Sequence, residues 1–138
     1  MYGTHPLYGE EVLLYLGRTE SGTFGQKLEE ERAYWEAESD FEPYSIYVGR
    51  LAGTSTPAGE AWAQEIDQAS RLLAYAHCPV FTGRELGAAP DEDLKEVHVV
   101  NWGNFLDLAP EVSGARWLFR FQELPGYNYY GRHGELAD

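Results

Sequence analysis

Cysteine is nearly absent from this chain of 138 residues, which carries only Cys78. A single cysteine excludes an intramolecular disulfide framework and any zinc site made of several cysteines. Long apolar runs are also missing, because no stretch reaches the roughly 18 consecutive apolar residues that a membrane-spanning helix needs. The first residues lack the basic and apolar segments of a secretory signal. We therefore expect a cytoplasmic protein that does not span a membrane.

Positive charge is scarce in the composition. Ten Lys and Arg residues face 23 Asp and Glu residues, which gives a net charge of −13 at pH 7. Binding of nucleic acid without sequence preference depends on Lys and Arg that neutralise phosphates, so the composition argues against a free-standing DNA clamp. It favours a protein that meets a basic partner or stays dispersed through its own charge. With 43% hydrophobic residues, the chain is still apolar enough to fold.

The first half of the chain carries the patterns of two strands and a helix. An apolar run at residues 12–16, closed by Gly17, predicts a buried strand that ends in a turn. Thr23 followed by Gln26 is a capping box, the spacing with which helices begin. Residues 44–51 are rich in β-forming types and predict a second strand.

The second half predicts a long helix followed by further strands. Thr56 before Pro57 is typical of a helix start, and apolar residues then recur at helical spacing until the helix ends near Cys78. Residues 96–102 and 115–122 are typical of strands, and a turn-rich link joins them. This part of the chain therefore predicts a β-rich extension.

Taken together, these elements predict an α/β protein of the α+β kind, with a small, mostly antiparallel sheet flanked by helices. The length suits one domain over residues 1–138, because no segment is a linker long enough to divide it. Tyr15-Leu16-Gly17-Arg18 recurs as Tyr47-Val48-Gly49-Arg50, but the flanking residues do not match. We interpret the echo as two similar turns after strands and not as a duplicated unit.

The order of elements and three short segments resemble the GIY-YIG nuclease superfamily. The segments are Tyr15-Leu16-Gly17-Arg18-Thr19, the helix around residues 24–28, and residues 72–81, where a helix runs into a proline and an aromatic residue. The resemblance covers roughly residues 1–85. Residues 86–138 form a C-terminal extension, in which residues 101–114 look like the extension of bacterial, uncharacterised members of that superfamily.

The resemblance implies a GIY-YIG-like fold and hydrolysis of phosphodiester bonds with Mg²⁺ or Mn²⁺. The family uses a first-strand Gly-Ile-Tyr, a second-strand Tyr-Ile-Gly, a helical arginine, a metal-binding glutamate and an asparagine. The matching positions in this chain are Tyr2 in the first motif (its glycine absent), Tyr15 and Gly17 in the second, Lys27 for the arginine, Ser70 for the glutamate and Thr82 for the asparagine. Glu31 stands where many members place a histidine.

These substitutions weaken the implied chemistry. Mg²⁺ prefers anionic oxygen ligands, and the hydroxyl of Ser70 supplies no charge. Lys27 keeps the positive charge of the arginine but loses the planar fork that grips two phosphate oxygens. We therefore expect no cofactor, or Mg²⁺ or Mn²⁺ if the site is active. Asp67, three residues before Ser70, is the acid that could replace the missing ligand.

Three functions stay open on the sequence alone. The first is a catalytically impaired GIY-YIG-like domain that binds nucleic acid or protein, with a cleft between Tyr15, Lys27 and Ser70 that could hold a small anion. The second is an active, metal-dependent endonuclease with an unusual ligand set. The third is an acidic domain that binds a basic protein. Lys27 and Glu31 also have a purely structural interpretation, since residues four apart on a helix form ion pairs.

Overall fold

The computed structural model describes residues 1–38, 44–53, 55, 57–81 and 92–116. Over these ranges the chain is a small α+β protein with two helices and two small antiparallel sheets. The elements are β1 (Tyr2–His5), β2 (Gly9–Leu13), α1 (Phe24–Glu38), β3 (Tyr44–Ser45), α2 (Gly59–His77), a 3₁₀ turn (Glu92–Leu94), β4 (His98–Val100) and β5 (Glu111–Ser113). No helix in the described ranges has both the length and the apolar character to span a bilayer.

The first sheet has the strand order β2-β1-β3 within the described chain, and both pairings are antiparallel. The strand predicted at residues 12–16 begins earlier, at Gly9, and ends at Leu13. Backbone pairing continues past its end, because Leu14 and Tyr15 donate their N–H groups to the carbonyl of Met1 at 2.9 and 3.3 Å. These bonds fix the backbone of Tyr15 beside the sheet.

The predicted capping box at the start of α1 is confirmed. Gln26 Oε1 accepts from the backbone N–H of Thr23 at 2.9 Å, and Thr23 Oγ1 accepts from the N–H of Gln26 at 3.3 Å. Two of the N–H groups that a helix start leaves unpaired are thereby satisfied. The strand predicted at residues 44–51 is regular only over β3, so that expectation was too long.

Helix α2 begins later than the sequence predicts. The residue before it is Ala58, which is extended at φ −75° and ψ 153° and makes no side-chain cap, so Pro57 lies outside the helix. Thr56, the predicted cap, lies outside the described residues. The predicted end is confirmed: Cys78 adopts a left-handed conformation at φ 45°, and its N–H donates to the carbonyl of Ala74 at 2.9 Å.

The second sheet packs on α2 and closes the core. Strands β4 and β5 pair antiparallel with Val99 opposite Val112. The buried side chains that meet there are Ala69, Leu72, Leu94, Val99 and Val112. Strand β5 lies in the segment predicted as a turn-rich link, so that prediction was wrong; Val112, which is fully buried, holds the segment in the core.

The strand predicted at residues 115–122 is wrong for residues 115 and 116, the two that the structure describes. Residues 115 and 116 lie in a helical turn, and the remainder lies outside the described residues. The strand predicted at residues 96–102 is confirmed at its centre, β4.

His77 joins the end of α2 to the segment that leads into β5. The backbone N–H of Ala109 donates to Nε2 of His77 at 2.7 Å, and Nδ1 lies 2.8 Å from the carbonyl of Leu73. Because Nε2 accepts, the hydrogen of the neutral ring lies on Nδ1 and is donated to Leu73. Asn101 Nδ2 donates to the carbonyl of Ala109 at 2.7 Å. Both polar groups of Ala109 are therefore held by side chains.

The segment after α2 returns to the first sheet. Val80 and Phe81 donate their N–H groups to the carbonyls of Leu13 and Leu14 at 3.3 and 2.8 Å. Leu14 is fully buried beneath this contact. The link ties the segment after α2 to the chain that leads into Tyr15.

Candidate functional site

A cleft of about 420 Å³ lies between residues 15–21 and the two helices. Helix α1 contributes Lys27, Glu30 and Glu31 to its lining, and α2 contributes Ser70. The structure thus brings together five residues that were selected from the resemblance: Tyr15, Gly17, Lys27, Glu31 and Ser70. These residues come from three separate parts of the sequence.

Tyr15 lies against Gly17 in the wall of the cleft. A Cβ atom added to Gly17 would lie 2.3 Å from Cε1 of the Tyr15 ring, so only glycine fits under the ring as it stands. The corresponding glycine of the echoed segment, Gly49, has open space around its α-carbon. Its tyrosine, Tyr47, packs edge-on against Tyr2 with ring centroids 5.8 Å apart. The tyrosines of the two similar segments therefore have different surroundings: Tyr15 lies over its glycine, and Tyr47 packs against Tyr2.

Ser70 makes two hydrogen bonds at the position that the resemblance assigns to a metal-binding glutamate. Its hydroxyl donates to the backbone carbonyl of Asp67 at 2.9 Å. The same oxygen accepts from Nη1 of Arg18 at 3.2 Å. A serine whose donor is committed to its own helix has only oxygen lone pairs to offer, and Arg18 takes one of them.

The guanidinium of Arg18 is held on three sides. Besides Ser70, its Nε donates to Glu20 Oε1 at 2.9 Å, and its Nη2 lies 2.6 Å from Asp67 Oδ1. The planar fork of arginine matches this set of acceptors, because its donors point in fixed directions. Arg18 therefore bridges the loop after β2 to helix α2. The sequence segment quoted for the resemblance contains Arg18, but the site prediction omits it.

Asp67 is shared between two guanidinium groups. Its Oδ1 pairs with Arg18, and its Oδ2 accepts from Nε of Arg71 at 2.8 Å. Arg71 reaches on to Asp93, whose hydrogen bond raises the pKa of the arginine; in return the pKa of the Asp93 carboxyl is lowered. Charges thus alternate along one continuous network that runs from the loop through α2 to the 3₁₀ turn.

A divalent metal ion does not fit the residues at this position. Mg²⁺ and Mn²⁺ need several oxygen ligands, with carboxylates among them. Asp67, the acid predicted as a replacement ligand, has both carboxylate oxygens paired with arginine. Within the described ranges, no three His, Cys, Asp or Glu side chains form a group that could hold a metal. The rescue role predicted for Asp67 competes directly with these ion pairs.

The predicted ion pair on α1 is confirmed and lies in the cleft. Lys27 Nζ is 2.6 Å from Glu31 Oε1, one helical turn away. Glu30 lines the same cleft and makes no hydrogen bond or ion pair with the described residues. The sequence prediction omits Glu30, although its position three residues after Lys27 places it on the same side of the helix.

Of the remaining predicted site residues, Tyr2 does not line the cleft. Tyr2 lies in β1 and is buried, and its hydroxyl has no hydrogen-bond partner within the described chain. Burial raises the pKa of the Tyr2 phenol, the backbone of Asp107 opposes part of that rise, and the charge of Asp107 adds to it. Thr82 lies outside the described residues.

No protein-family model, curated protein or solved structure matches this chain. The resemblance to GIY-YIG nucleases therefore stays a prediction. It rests on the sequence segments quoted for it.

Proposed function

We propose that the chain is a GIY-YIG-like domain that binds its target without hydrolysing phosphodiester bonds. The observation that supports this most directly is the guanidinium of Arg18, which lies between Ser70 and Asp67. In the resemblance, Ser70 stands at the position from which a carboxylate would hold the metal. In this chain that position faces a permanent positive charge.

The charge of Arg18 works against a metal at this place. Arginine does not lose its proton in proteins, so the cation cannot be switched off. Two unit charges of like sign at 4 Å repel by about 1 kcal/mol in water and about 4 kcal/mol at the effective dielectric constant near a protein surface. A divalent ion doubles that repulsion. Removing Arg18 from the site also requires breaking its ion pair with Asp67 and its pairing with Glu20.

The scaffold nevertheless supports a binding role. Tyr15, Gly17, Lys27 and Ser70 meet in one cleft although they lie far apart in the sequence. The cleft has a volume of about 420 Å³ and, unlike the mostly apolar pockets that bind small molecules, is lined mainly by polar and charged side chains. Its lining is polar, so the ligand that fits it is polar or charged.

The experiment is an incubation of the purified chain with plasmid and single-stranded substrates in Mg²⁺ or Mn²⁺, with EDTA as the control. We expect no turnover. Cleavage that EDTA abolishes, and that both Tyr15→Phe and Asp67→Ala remove while circular dichroism stays unchanged, would establish the alternative of an active endonuclease. Cleavage that survives in both variants would indicate a contaminating nuclease and leave the non-cutting function standing.

A further inference from the structure

Residues 101–110 connect β4 to β5 and form a loop, here called the β4–β5 loop, that is closed at its base. Asn101 donates its backbone N–H to the carbonyl of Pro110 at 2.8 Å. The side chain of the same asparagine donates to the carbonyl of Ala109 at 2.7 Å. Both bonds lie within the loop, so they do not attach it to the rest of the molecule.

A single hydrogen bond attaches this loop to helix α2. The backbone N–H of Ala109 donates to Nε2 of His77 at 2.7 Å, and no other hydrogen bond joins the loop to α2 among the described residues. Ala109 is also partly buried against the core cluster, so this bond lies at the edge of the core. His77 is half-buried and therefore remains within reach of protons from solvent.

The β4–β5 loop holds a strained backbone. Leu106 adopts φ 50° and Gly103 adopts φ 75°, both in the left-handed region. Glycine enters this region freely, whereas a leucine side chain makes it costly. Strain of this kind persists only while surrounding contacts hold it in place. The bond between His77 and Ala109 is one of the contacts that hold the loop.

Protonation of His77 would change one of its two ring contacts and leave the other intact. In the neutral ring, Nδ1 donates to the carbonyl of Leu73 and Nε2 accepts from Ala109. In the imidazolium form both nitrogens are donors. The bond to Leu73 therefore survives, but the new Nε2–H points at the N–H of Ala109, donor against donor. A partly buried N–H without an acceptor is unfavourable, so the loop must move away from the ring.

The other titratable side chains on the segments that meet here interact elsewhere. Their interactions are those of Asp107 with Tyr2, of Cys78 with the carbonyl of Tyr75, and of His98 with Glu111. None of the ion pairs in the described part of the chain includes His77. A carboxylate paired with the ring would hold the proton without any movement of the loop, and the described contacts supply none.

From this geometry we propose that His77 is a pH-sensitive switch, in which the neutral ring holds the β4–β5 loop on α2 and the protonated ring releases it. Histidine is the side chain that ordinarily changes its charge between about pH 5 and 8. Attachment of the loop is therefore complete at the upper end of this range and is lost as the pH falls through it. The inference concerns a part of the molecule outside the cleft and does not depend on the proposed function.

The test is an NMR titration of the whole chain between about pH 8 and 5. We expect the amide signal of Ala109 and the ring signals of His77 to shift together. Protection of the Ala109 amide from hydrogen exchange, corrected for the intrinsic rate, should fall about 10-fold or more in acid, as a lost hydrogen bond requires. The heteronuclear NOE of residues 102–108 should fall as well, whereas the amide of Leu72, buried in the middle of α2, should stay protected.

Two variants separate His77 from other groups that titrate in this range. His77→Gln supplies a side-chain oxygen that accepts from Ala109 and does not titrate, so the loop should stay attached at both ends of the range. His98→Ala removes the histidine of the exposed pair with Glu111 and should keep the wild-type transition. Burial lowers the pKa of the Met1 amino group to about 6, but this group donates to the carbonyl of Tyr15, so the local signals at Ala109 distinguish the two.

Three results would overturn the inference. They are an Ala109 amide that does not titrate with the ring of His77, a loop that is equally ordered at both ends of the pH range, or a transition that persists in His77→Gln. The first two are measured on the wild-type chain, so they decide the matter even where His77→Gln fails to fold. The nuclease assay tests the proposed function separately, because neither outcome there alters the bond between His77 and Ala109.

Discussion

The ring of Tyr15 lies so close to the α-carbon of Gly17 that a methyl group there would come within 2.3 Å of the ring. The ring can yield only by turning away, because it is a side chain and the glycine is fixed backbone. The glycine at position 17 therefore permits the ring position that Tyr15 adopts.

Substitution of this glycine should move the ring with little effect on stability. Gly17→Ala is expected to cost about 1 kcal/mol or less, since the clash falls on a side chain that can rotate. The aromatic NMR signals of Tyr15, assigned with Tyr15→Phe, should shift clearly. Gly49→Ala is the matched control, because it lies in the same Tyr-x-Gly-Arg pattern with nothing within 4 Å. Equal shifts of Tyr15 in both variants would contradict this account.

At Gly114, unlike Gly17, an added side chain would clash with backbone atoms and not with a side chain. A Cβ atom at Gly114 would lie 1.6 Å from the carbonyl oxygen of Leu94, and the N–H of Gly114 donates to Val97 at 2.8 Å. We expect Gly114→Ala to lower the free energy of unfolding by about 2–4 kcal/mol, because neither carbonyl can move without opening the core. Urea unfolding followed by circular dichroism measures this value.

The control for that substitution is Gly59→Ala at the first residue of α2, where nothing lies within 4 Å. It should stabilise the protein by up to about 1 kcal/mol through helix propensity. If Gly114→Ala lowers the free energy of unfolding by less than about 1 kcal/mol, the backbone around Leu94 can shift to accept the added methyl group, and this prediction is wrong.

His77 should matter to stability through its two hydrogen bonds. His77→Ala leaves the N–H of the partly buried Ala109 without its acceptor, and we expect a loss of about 1–3 kcal/mol in the free energy of unfolding. His98→Ala serves as the control, because His98 makes an exposed pair with Glu111 at 3.1 Å that contributes little. Equal losses for His77→Ala and His98→Ala in thermal or urea unfolding would show that the hydrogen bond between Ala109 and His77 contributes little to stability.

The buried phenol of Tyr2 should make stability fall at alkaline pH. Its folded-state pKa is raised by burial, so above pH 10 the unfolded chain loses the proton first. This contribution to stability is complete below pH 10 and is lost as the pH rises through the folded-state pKa. Tyr2→Phe should remove that part of the loss.

At neutral pH, Tyr2→Phe should match wild type or exceed it by up to about 1 kcal/mol, because the hydroxyl it removes is buried without a described partner. Urea unfolding of both proteins between pH 8.5 and 11 tests this behaviour. Parallel pH profiles would contradict the assignment of the shift to Tyr2.

Local signals in the sequence predicted local structure well. The capping box of Thr23 and Gln26 and the helix end at Cys78 depend on neighbours within one turn, so the letters suffice to find them. Strand β5 was missed because its three residues owe their position to the burial of Val112 against α2. A segment of three residues is too short to show the alternating hydrophobic pattern by which strands are predicted.

The candidate site shows the same division. The resemblance selected Tyr15, Lys27 and Ser70, and the structure brings them together. Arg18 was missed because its importance comes from Asp67 and Ser70, which lie on α2 far along the chain. An ion pair between such distant residues has no spacing that a sequence pattern could reveal.

The backbone bonds from Val80 and Phe81 to Leu13 and Leu14 join the segment after α2 to the chain that leads into Tyr15. Contacts between residues so widely separated in sequence form late in folding, because the intervening chain must first be ordered. We therefore expect the β1–β2 hairpin and helix α2 to acquire structure early, and the cleft to be completed only when the proline-containing turn after α2 docks.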